Sequence, residues 1–138
     1  MAAPYLGLDI GLHRTGIALS ESGLIAQPLT TVEWKLPHSQ PLVEAIIALI
    51  NQYEIATIVV GMPLGEEGEN TAQALKTAHL LDHLREGIKT AGLTTEVVEV
   101  NEFHSTQDAL AQFPDVDKDA AAAAVILQDY LEQNGTAW

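Results

Sequence analysis

The stretch YLGLDIGLHRTGIALS, residues 5–20, decides the fold of this chain. It contains two short apolar runs, residues 5–10 and 16–20, separated by the turn-forming residues 11–14. Two extended runs joined by a short turn predict a β-hairpin. A third run at residues 27–34 alternates loosely after another turn, and it predicts a three-stranded antiparallel meander.

Helices and strands alternate after the predicted meander. The run at residues 55–60 is β-branched and ends at Gly61 and Pro63. That pattern is typical of a buried parallel strand reached through a helical crossover. A second strand of this kind is predicted at residues 95–100. Apolar residues at helical spacing predict helices over residues 41–53, 71–85, 105–112 and 119–133.

This order predicts an α/β fold with a mixed five-stranded sheet, in which three antiparallel strands are followed by parallel strands and helices cover both faces. The chain has 138 residues, of which 47% are hydrophobic and 18% charged, and it has no cysteine. Those values fit one globular domain over residues 1–138 that needs no disulfide.

Charge and hydropathy narrow the expected partners and location. No apolar run approaches the length of a membrane span, and the amino terminus lacks the pattern of a secretion signal, so we expect a cytoplasmic protein without a membrane partner. The net charge of −13 disfavours nucleic-acid binding, which normally needs a basic surface.

Three acidic residues lie at predicted element ends. Asp9 is near the end of the first strand, Glu102 follows the fifth strand, and Asp119 begins the last helix. Taken singly, each has an ordinary alternative role, as a turn residue, a solvated loop residue or a helix N-cap respectively. Because the predicted topology brings these ends together, the three carboxylates are candidate ligands for Mg²⁺ or Mn²⁺.

The order and spacing of four segments resemble the YqgF/RuvX family, whose members are described as Holliday junction resolvases and pre-16S rRNA nucleases. The resemblance covers almost the whole chain and implies a ribonuclease H-like fold. The segments are Leu8-Asp9-Ile10-Gly11 with Arg14-Thr15-Gly16-Ile17-Ala18, Ile58-Val59-Val60-Gly61-Met62-Pro63-Leu64, Asn101-Glu102-Phe103-His104-Ser105-Thr106, and Asp119 with Ala124-Val125-Ile126-Leu127, Tyr130 and Leu131.

The resemblance implies metal-assisted phosphodiester hydrolysis at a site formed by the same three acids. Structured RNA or branched DNA would be the substrate. The candidates for contact with substrate phosphate are His13, Arg14, His104 and Ser105.

The chain departs from the family pattern at three places, and these support a rival interpretation. Lys-Arg is usual where this chain has His13-Arg14, and Asp-Glu-Arg is usual where it has Asn101-Glu102-Phe103. The family's longer basic loop is replaced by a short acidic one at residues 112–118. Fewer cations mean fewer phosphate contacts, so a degenerate paralogue with a binding or regulatory role is the first alternative.

Other patterns carry less weight. Asp9-x-Gly11 followed by Gly16-x-Ala18 also resembles the first phosphate loop of the actin, chaperone and sugar-kinase group, but those proteins close two such domains around a nucleotide. His79 and His83 are spaced for a metal site on one helix face, yet no third ligand is evident and a polar helix face is favoured.

Overall fold

The computed structural model describes residues 3–11, 13–35, 38–63, 72–102 and 117–135, with backbone alone at positions 63, 72–74, 101, 102, 134 and 135. Its strands are β1 (Tyr5–Ile10), β2 (Arg14–Ser20), β3 (Gln27–Glu33), β4 (Thr57–Pro63) and β5 (Glu96–Glu102). Its helices are α1 (Gln40–Tyr53), α2 (Ala72–Thr90) and α3 (Lys118–Tyr130), and a π-helical turn, Leu131–Gly135, continues α3.

The five strands form one mixed sheet in the order β3-β2-β1-β4-β5. β1 pairs antiparallel with β2, and β2 pairs antiparallel with β3. β1 and β4 are parallel, as are β4 and β5. The predicted fold class is therefore confirmed, and β1, with the first acidic residue, is the central strand.

Strand alternation divides the core between the two faces of the sheet. Leu6, Leu8 and Ile10 of β1 are buried in a cluster with apolar residues of α1 and α2. Tyr5 of the same strand belongs to a cluster with α3 residues on the other face. Because alternate residues share a face, Asp9 lies on the face covered by α3.

Several element boundaries differ from the sequence prediction, among them the end of β5, at Glu102 and not residue 100, and the end of α2, at Thr90 and not residue 85. β2 begins at Arg14, two residues before the predicted start, so this arginine pairs with Glu33 in the ladder instead of lying in a turn. β4 continues through Gly61 to Pro63, although both residues were expected to end it. Pairing with β1 and β5 holds Gly61 in the strand, and this pairing outweighs the weak strand propensity of glycine.

The predicted helix at residues 105–112 lies outside the described residues. Within the described part of the chain, no helix combines the length and the apolar character needed to cross a membrane.

Candidate metal and nuclease site

Asp9 lies between two glycines in the sheet. It pairs with Gly16 of β2 on one side and with Gly61 of β4 on the other. Directly paired residues point to the same face, so the neighbours of this carboxylate on the α3 face have no side chains. The row Gly16-Asp9-Gly61 is thus a shelf from which one acidic side chain projects.

The first turn of α3 lies directly on this shelf. A Cβ atom at Gly16 would overlap the backbone carbonyl oxygen of Asp119. Further along the helix, a Cβ atom at Gly7 would lie 2.7 Å from Leu127 Cβ and 3.0 Å from the Ala123 carbonyl oxygen. Glycine in β1 and β2 therefore permits the close helix–sheet contact that brings Asp119 to the strand bearing Asp9.

The helix start shows a distinct role for each of two neighbouring acids. Asp117 is the N-cap of α3, and its carboxylate accepts a hydrogen bond from the backbone N–H of Asp119 at 2.8 Å. The hydroxyl of Thr31 in β3 donates to Asp117 Oδ1 at 3.0 Å. The N-cap role considered for Asp119 is therefore wrong, because Asp117 fills it and Asp119 lies inside the first turn.

The carboxylate of Asp9 is affected by burial and by the negative charge of Asp119. Burial, with a smaller contribution from the negative charge of Asp119, raises the pKa of Asp9 to about 6. Two carboxylates at close range disfavour simultaneous ionisation unless a positive charge joins them. The pair therefore has the electrostatics of a site suited to a cation.

Arg14 supplies a positive charge to this site, but it leaves a carboxylate oxygen of Asp119 without a hydrogen bond from any residue that the structure describes. Its Nε lies 3.1 Å from Asp119 Oδ2, with the arginine side chain 41% exposed and the aspartate 22% exposed. This ion pair lacks hydrogen-bond geometry, and the buried Oδ2 has no hydrogen-bond partner among the described residues. A buried carboxylate oxygen without such a partner is costly and can accept a further ligand.

Glu102 is the last residue of β5, and its backbone pairs with Pro63 of β4. Position 102 is two residues beyond Val100, which packs in the cluster under α3, so alternation assigns position 102 to the same sheet face as Asp9. Its side chain, together with His104 and Ser105, lies outside the described residues. Among the residues that are described, no group of three or more His, Cys, Asp or Glu side chains could hold a metal ion.

The remaining candidates lie at different places. His13 is exposed beside the start of β2, and its backbone carbonyl accepts a hydrogen bond from the N–H of Trp34 at 2.9 Å. His83 Nδ1 lies 2.5 Å from the Ser39 hydroxyl, so this histidine ties α2 to the start of α1. That contact gives His83 a structural role.

Sequence reasoning missed Gly16, Gly61 and Asp117 as determinants of the site. Gly16 was predicted as the first residue of the second strand and Gly61 as the residue that ends the fourth, since a close helix contact leaves no local pattern. An aspartate immediately before a helix is a usable capping pattern. Three aspartates alternate here at positions 115, 117 and 119, and the sequence analysis considered only Asp119 for the cap.

Sequence comparison gives consistent relatives. A protein of Thermoanaerobacter pseudethanolicus named as a candidate pre-16S rRNA nuclease is 33% identical, over 92% of this chain and 94% of its own length. A Sulfurihydrogenibium protein with the same name is 35% identical, over 93% of this chain and 89% of its own. The alignments thus span nearly the whole of each protein.

Structural comparison supports the fold. RuvC of Thermus thermophilus, solved in complex with a Holliday junction substrate, matches with a TM-score of 0.60 at 16% identity, covering 96% of this chain and 98% of its own. A second structure of RuvC from that organism also gives 0.60, at 12% identity, covering 95% of each chain. The model of the RuvX family, described as Holliday junction resolvase, matches residues 3–133. The chain therefore belongs to the RuvX family and has the ribonuclease H-like fold of the RuvC resolvases.

Proposed function

We propose that this protein is a divalent-metal-dependent nuclease that hydrolyses phosphodiester bonds in structured nucleic acid, with Asp9, Glu102 and Asp119 as its catalytic acids. The observation that carries the proposal is the convergence of Asp9 and Asp119 on the glycine shelf, where the pKa of Asp9 is raised to about 6. A perturbed carboxylate on a rigid strand, held beside a second acid, is characteristic of functional sites.

The donor set fits Mg²⁺ or Mn²⁺. Both ions prefer carboxylate oxygens, and Asp119 Oδ2 is a buried oxygen without a hydrogen-bond partner in the described part of the chain. Asp9 and Asp119 would hold the ion together with Glu102, with Asp9 central because it lies on the middle strand. A bound divalent ion would activate a water and neutralise charge on the phosphate oxygens.

The protein's own residues would hold the substrate against these acids. Arg14 already lies at the edge of the site, where its planar guanidinium can offer two donors to a phosphate. His13 is its exposed neighbour in the chain. His104 and Ser105 follow the β5 acid in sequence, and they stay predictions based on the family resemblance.

Two substrates follow from the comparisons. The relatives at 33–35% identity are named for pre-16S rRNA, whereas the family model is described by Holliday junction resolution. Relatives aligned over nearly their whole length are named for pre-16S rRNA, so we place processing of pre-16S rRNA first and resolution of branched DNA second. A cytoplasmic location accords with either substrate.

The test is cleavage of a structured precursor rRNA fragment and of a four-way DNA junction, each with Mg²⁺, with Mn²⁺ and with EDTA. We expect metal-dependent cleavage that falls at least about 100-fold in Asp9→Asn and Asp119→Asn, the scale of losing a group that positions charge at the transition state. Asp117→Asn is the matched control, since asparagine also caps helices well. Equal activity in the wild type and Asp9→Asn would overturn the proposal.

The second candidate is a non-catalytic member of the family with a binding or regulatory role. The net charge of −13 and the presence of Asn101 and Phe103 beside Glu102 favour it. The assay separates the two: metal binding that depends on Asp9, without cleavage of either substrate, would favour the non-catalytic role.

A further inference from the structure

A groove of about 710 Å³ lies beside the candidate metal site, where β2 begins and β3 ends. One wall comes from the paired strand ends, Arg14 and Glu33, and another from the first turn of α1 at Pro41. We call this the Trp34 groove. Its lining residues are His13, Arg14, Glu33, Trp34, Lys35, His38 and Pro41.

The groove gathers the scarce basic residues of an acidic chain. The whole sequence has six Lys and Arg residues against nineteen Asp and Glu. Two of the six, Arg14 and Lys35, line the groove, and a third, Lys76, contacts the ring of the lining residue Trp34. Glu33 is the one acid among the lining residues that the structure describes. A concentration of like charge in a concave surface focuses the local potential, even when the net charge of the protein has the opposite sign.

Trp34 fixes one of these charges in place. Trp34 is 6% exposed, and the Nζ atom of Lys76 from α2 lies 4.3 Å from its ring centroid. Lys76 itself is only 9% exposed. Its ammonium group therefore acts through the tryptophan as a fixed charge that water screens less than it screens a surface lysine.

Arg14 joins the groove to the acidic site. The same side chain that lines the groove lies 3.1 Å from Asp119 Oδ2 through its Nε. A polynucleotide strand with one phosphate at the carboxylates would meet Arg14 first and the remaining cations of the groove next. Neighbouring phosphates need such contacts, because they supply most of the affinity in nucleic-acid complexes.

We propose that the Trp34 groove binds the phosphodiester backbone of the substrate strand next to the bond held at Asp9 and Asp119. Arg14 and Lys35 contact the phosphates, and Lys76 adds a fixed positive charge at the Trp34 ring. The inference rests on the proposed nuclease function and extends it. It explains how a chain with a net charge of −13 can hold a polyanion, since binding needs one basic track and not a basic surface.

The experiment measures binding without catalysis. Fluorescence anisotropy of a labelled structured RNA and of a labelled four-way DNA junction is recorded in EDTA at low salt, for the wild type and for Lys35→Gln and Lys35→Glu. Lys35 is exposed, so these changes leave the fold intact. The matched control is Lys89→Gln, which makes the same charge change at an exposed position in the last turn of α2.

We expect Lys35→Gln to raise Kd by about 3-fold to 10-fold and to lower the salt-dependence slope by about one, as expected when one phosphate contact is lost. Lys35→Glu raises Kd further, and Lys89→Gln changes it less than about 2-fold. The nucleic acid that loses more affinity on Lys35→Gln, RNA or DNA, is the one whose backbone follows the groove. Equal affinities of Lys35→Gln, Lys35→Glu and Lys89→Gln for both nucleic acids would overturn the inference.

The binding experiment and the cleavage assay can fail independently of each other. If binding depends on Lys35 but neither substrate is cleaved, the groove is supported and the nuclease proposal fails. If cleavage depends on Asp9 while Lys35→Glu changes neither Kd nor KM, the nuclease proposal holds and the groove inference is wrong.

Discussion

The carboxylate of Asp117 caps the helix in which Asp119 lies, accepting a hydrogen bond from the Asp119 backbone N–H at 2.8 Å. Because one acid fills the capping role, the side chain of the other is left to face the sheet and the arginine at the start of β2. Asp117 therefore stabilises the start of the helix, and Asp119 is left available to the candidate metal site.

Removal of this cap gives the first prediction. Asp117→Ala should lower the free energy of unfolding by about 1 kcal/mol, the usual cost of losing an N-cap side chain. Asp117→Asn should lie close to the wild type, because asparagine keeps an acceptor for the helix N–H. Urea denaturation of the three proteins measures this, and an unchanged midpoint in Asp117→Ala would show that the capping bond contributes nothing.

The pH dependence of the Asp117 cap has a definite sign. Hydrogen bonds, above all that from the Asp119 N–H, hold the pKa of Asp117 below its usual value. Its stabilising effect is therefore present above the unfolded-state pKa and is lost as pH falls through the folded-state pKa. The difference between Asp117→Ala and the wild type should shrink in strong acid, and a difference that grows there would contradict the assignment.

The second prediction concerns Asp9, whose effect on the pH dependence of stability has the opposite sign to that of Asp117. Its folded-state pKa of about 6 exceeds the ordinary value of 3.8, so the native state holds the proton more tightly. Without metal, the associated stability is full below the unfolded-state pKa and is lost as pH rises through about 6. In EDTA, Asp9→Asn should therefore be more stable than the wild type at pH 8, by up to about 3 kcal/mol, and similar to it at pH 3.5.

Denaturant midpoints of the two proteins at both pH values, measured in EDTA, check this expectation. The comparison between proteins at the same pH cancels the titration of the other acids. An Asp9→Asn variant less stable than the wild type at pH 8 would mean that the ionised carboxylate has stabilising partners in the native protein.

The third prediction is the response of stability to metal. Mg²⁺ or Mn²⁺ at 100 times Kd should stabilise the wild type by about 2.7 kcal/mol, because binding to the native state alone shifts the unfolding equilibrium. The shift in melting temperature should vanish in Asp9→Asn and weaken below about pH 6, where the Asp9 carboxylate gains its proton. Asp117→Asn serves as the control that keeps the shift. Equal shifts in all three proteins would place the metal elsewhere.

The fourth prediction tests the glycine shelf. Gly16→Ala introduces a Cβ atom where the Asp119 carbonyl oxygen lies, so the first turn of α3 must move. We expect a loss of about 1–3 kcal/mol in stability from overpacking, together with a smaller metal-induced shift in melting temperature.

Gly92→Ala is the control for the Gly16 experiment. Gly92 has φ of +74° and nothing within 4 Å of a Cβ atom, so its substitution costs about 1 kcal/mol through backbone strain alone. Its metal-induced shift should equal that of the wild type. A Gly16→Ala protein that matches Gly92→Ala in both readouts would show that the helix contact at Gly16 is not needed for the site.

Much of the fold could be predicted because it depends on local patterns. The apolar runs on either side of residues 11–14 made a hairpin, and the β-branched run before Gly61 made a parallel strand, as the structure confirms. The prediction was wrong at Arg14, Gly61 and Pro63, because pairing with neighbouring strands extends β2 and β4 beyond what local propensity indicates. It also ended β5 and α2 too early.

The amino-acid sequence was enough to predict the order of strands and helices along the chain, the family and three candidate acids. Those properties depend on periodicity, motif spacing and residue type, all of which are visible along the chain. The sequence could not show which acid caps α3, that glycines flank Asp9, that Lys35 lines the same groove as Arg14, or that Lys76 contacts Trp34. These points depend on contacts between segments that are distant in sequence, so the folded structure is needed to see them. Close approach of those segments sets the room available at the site, and their burial sets the strength of its charges.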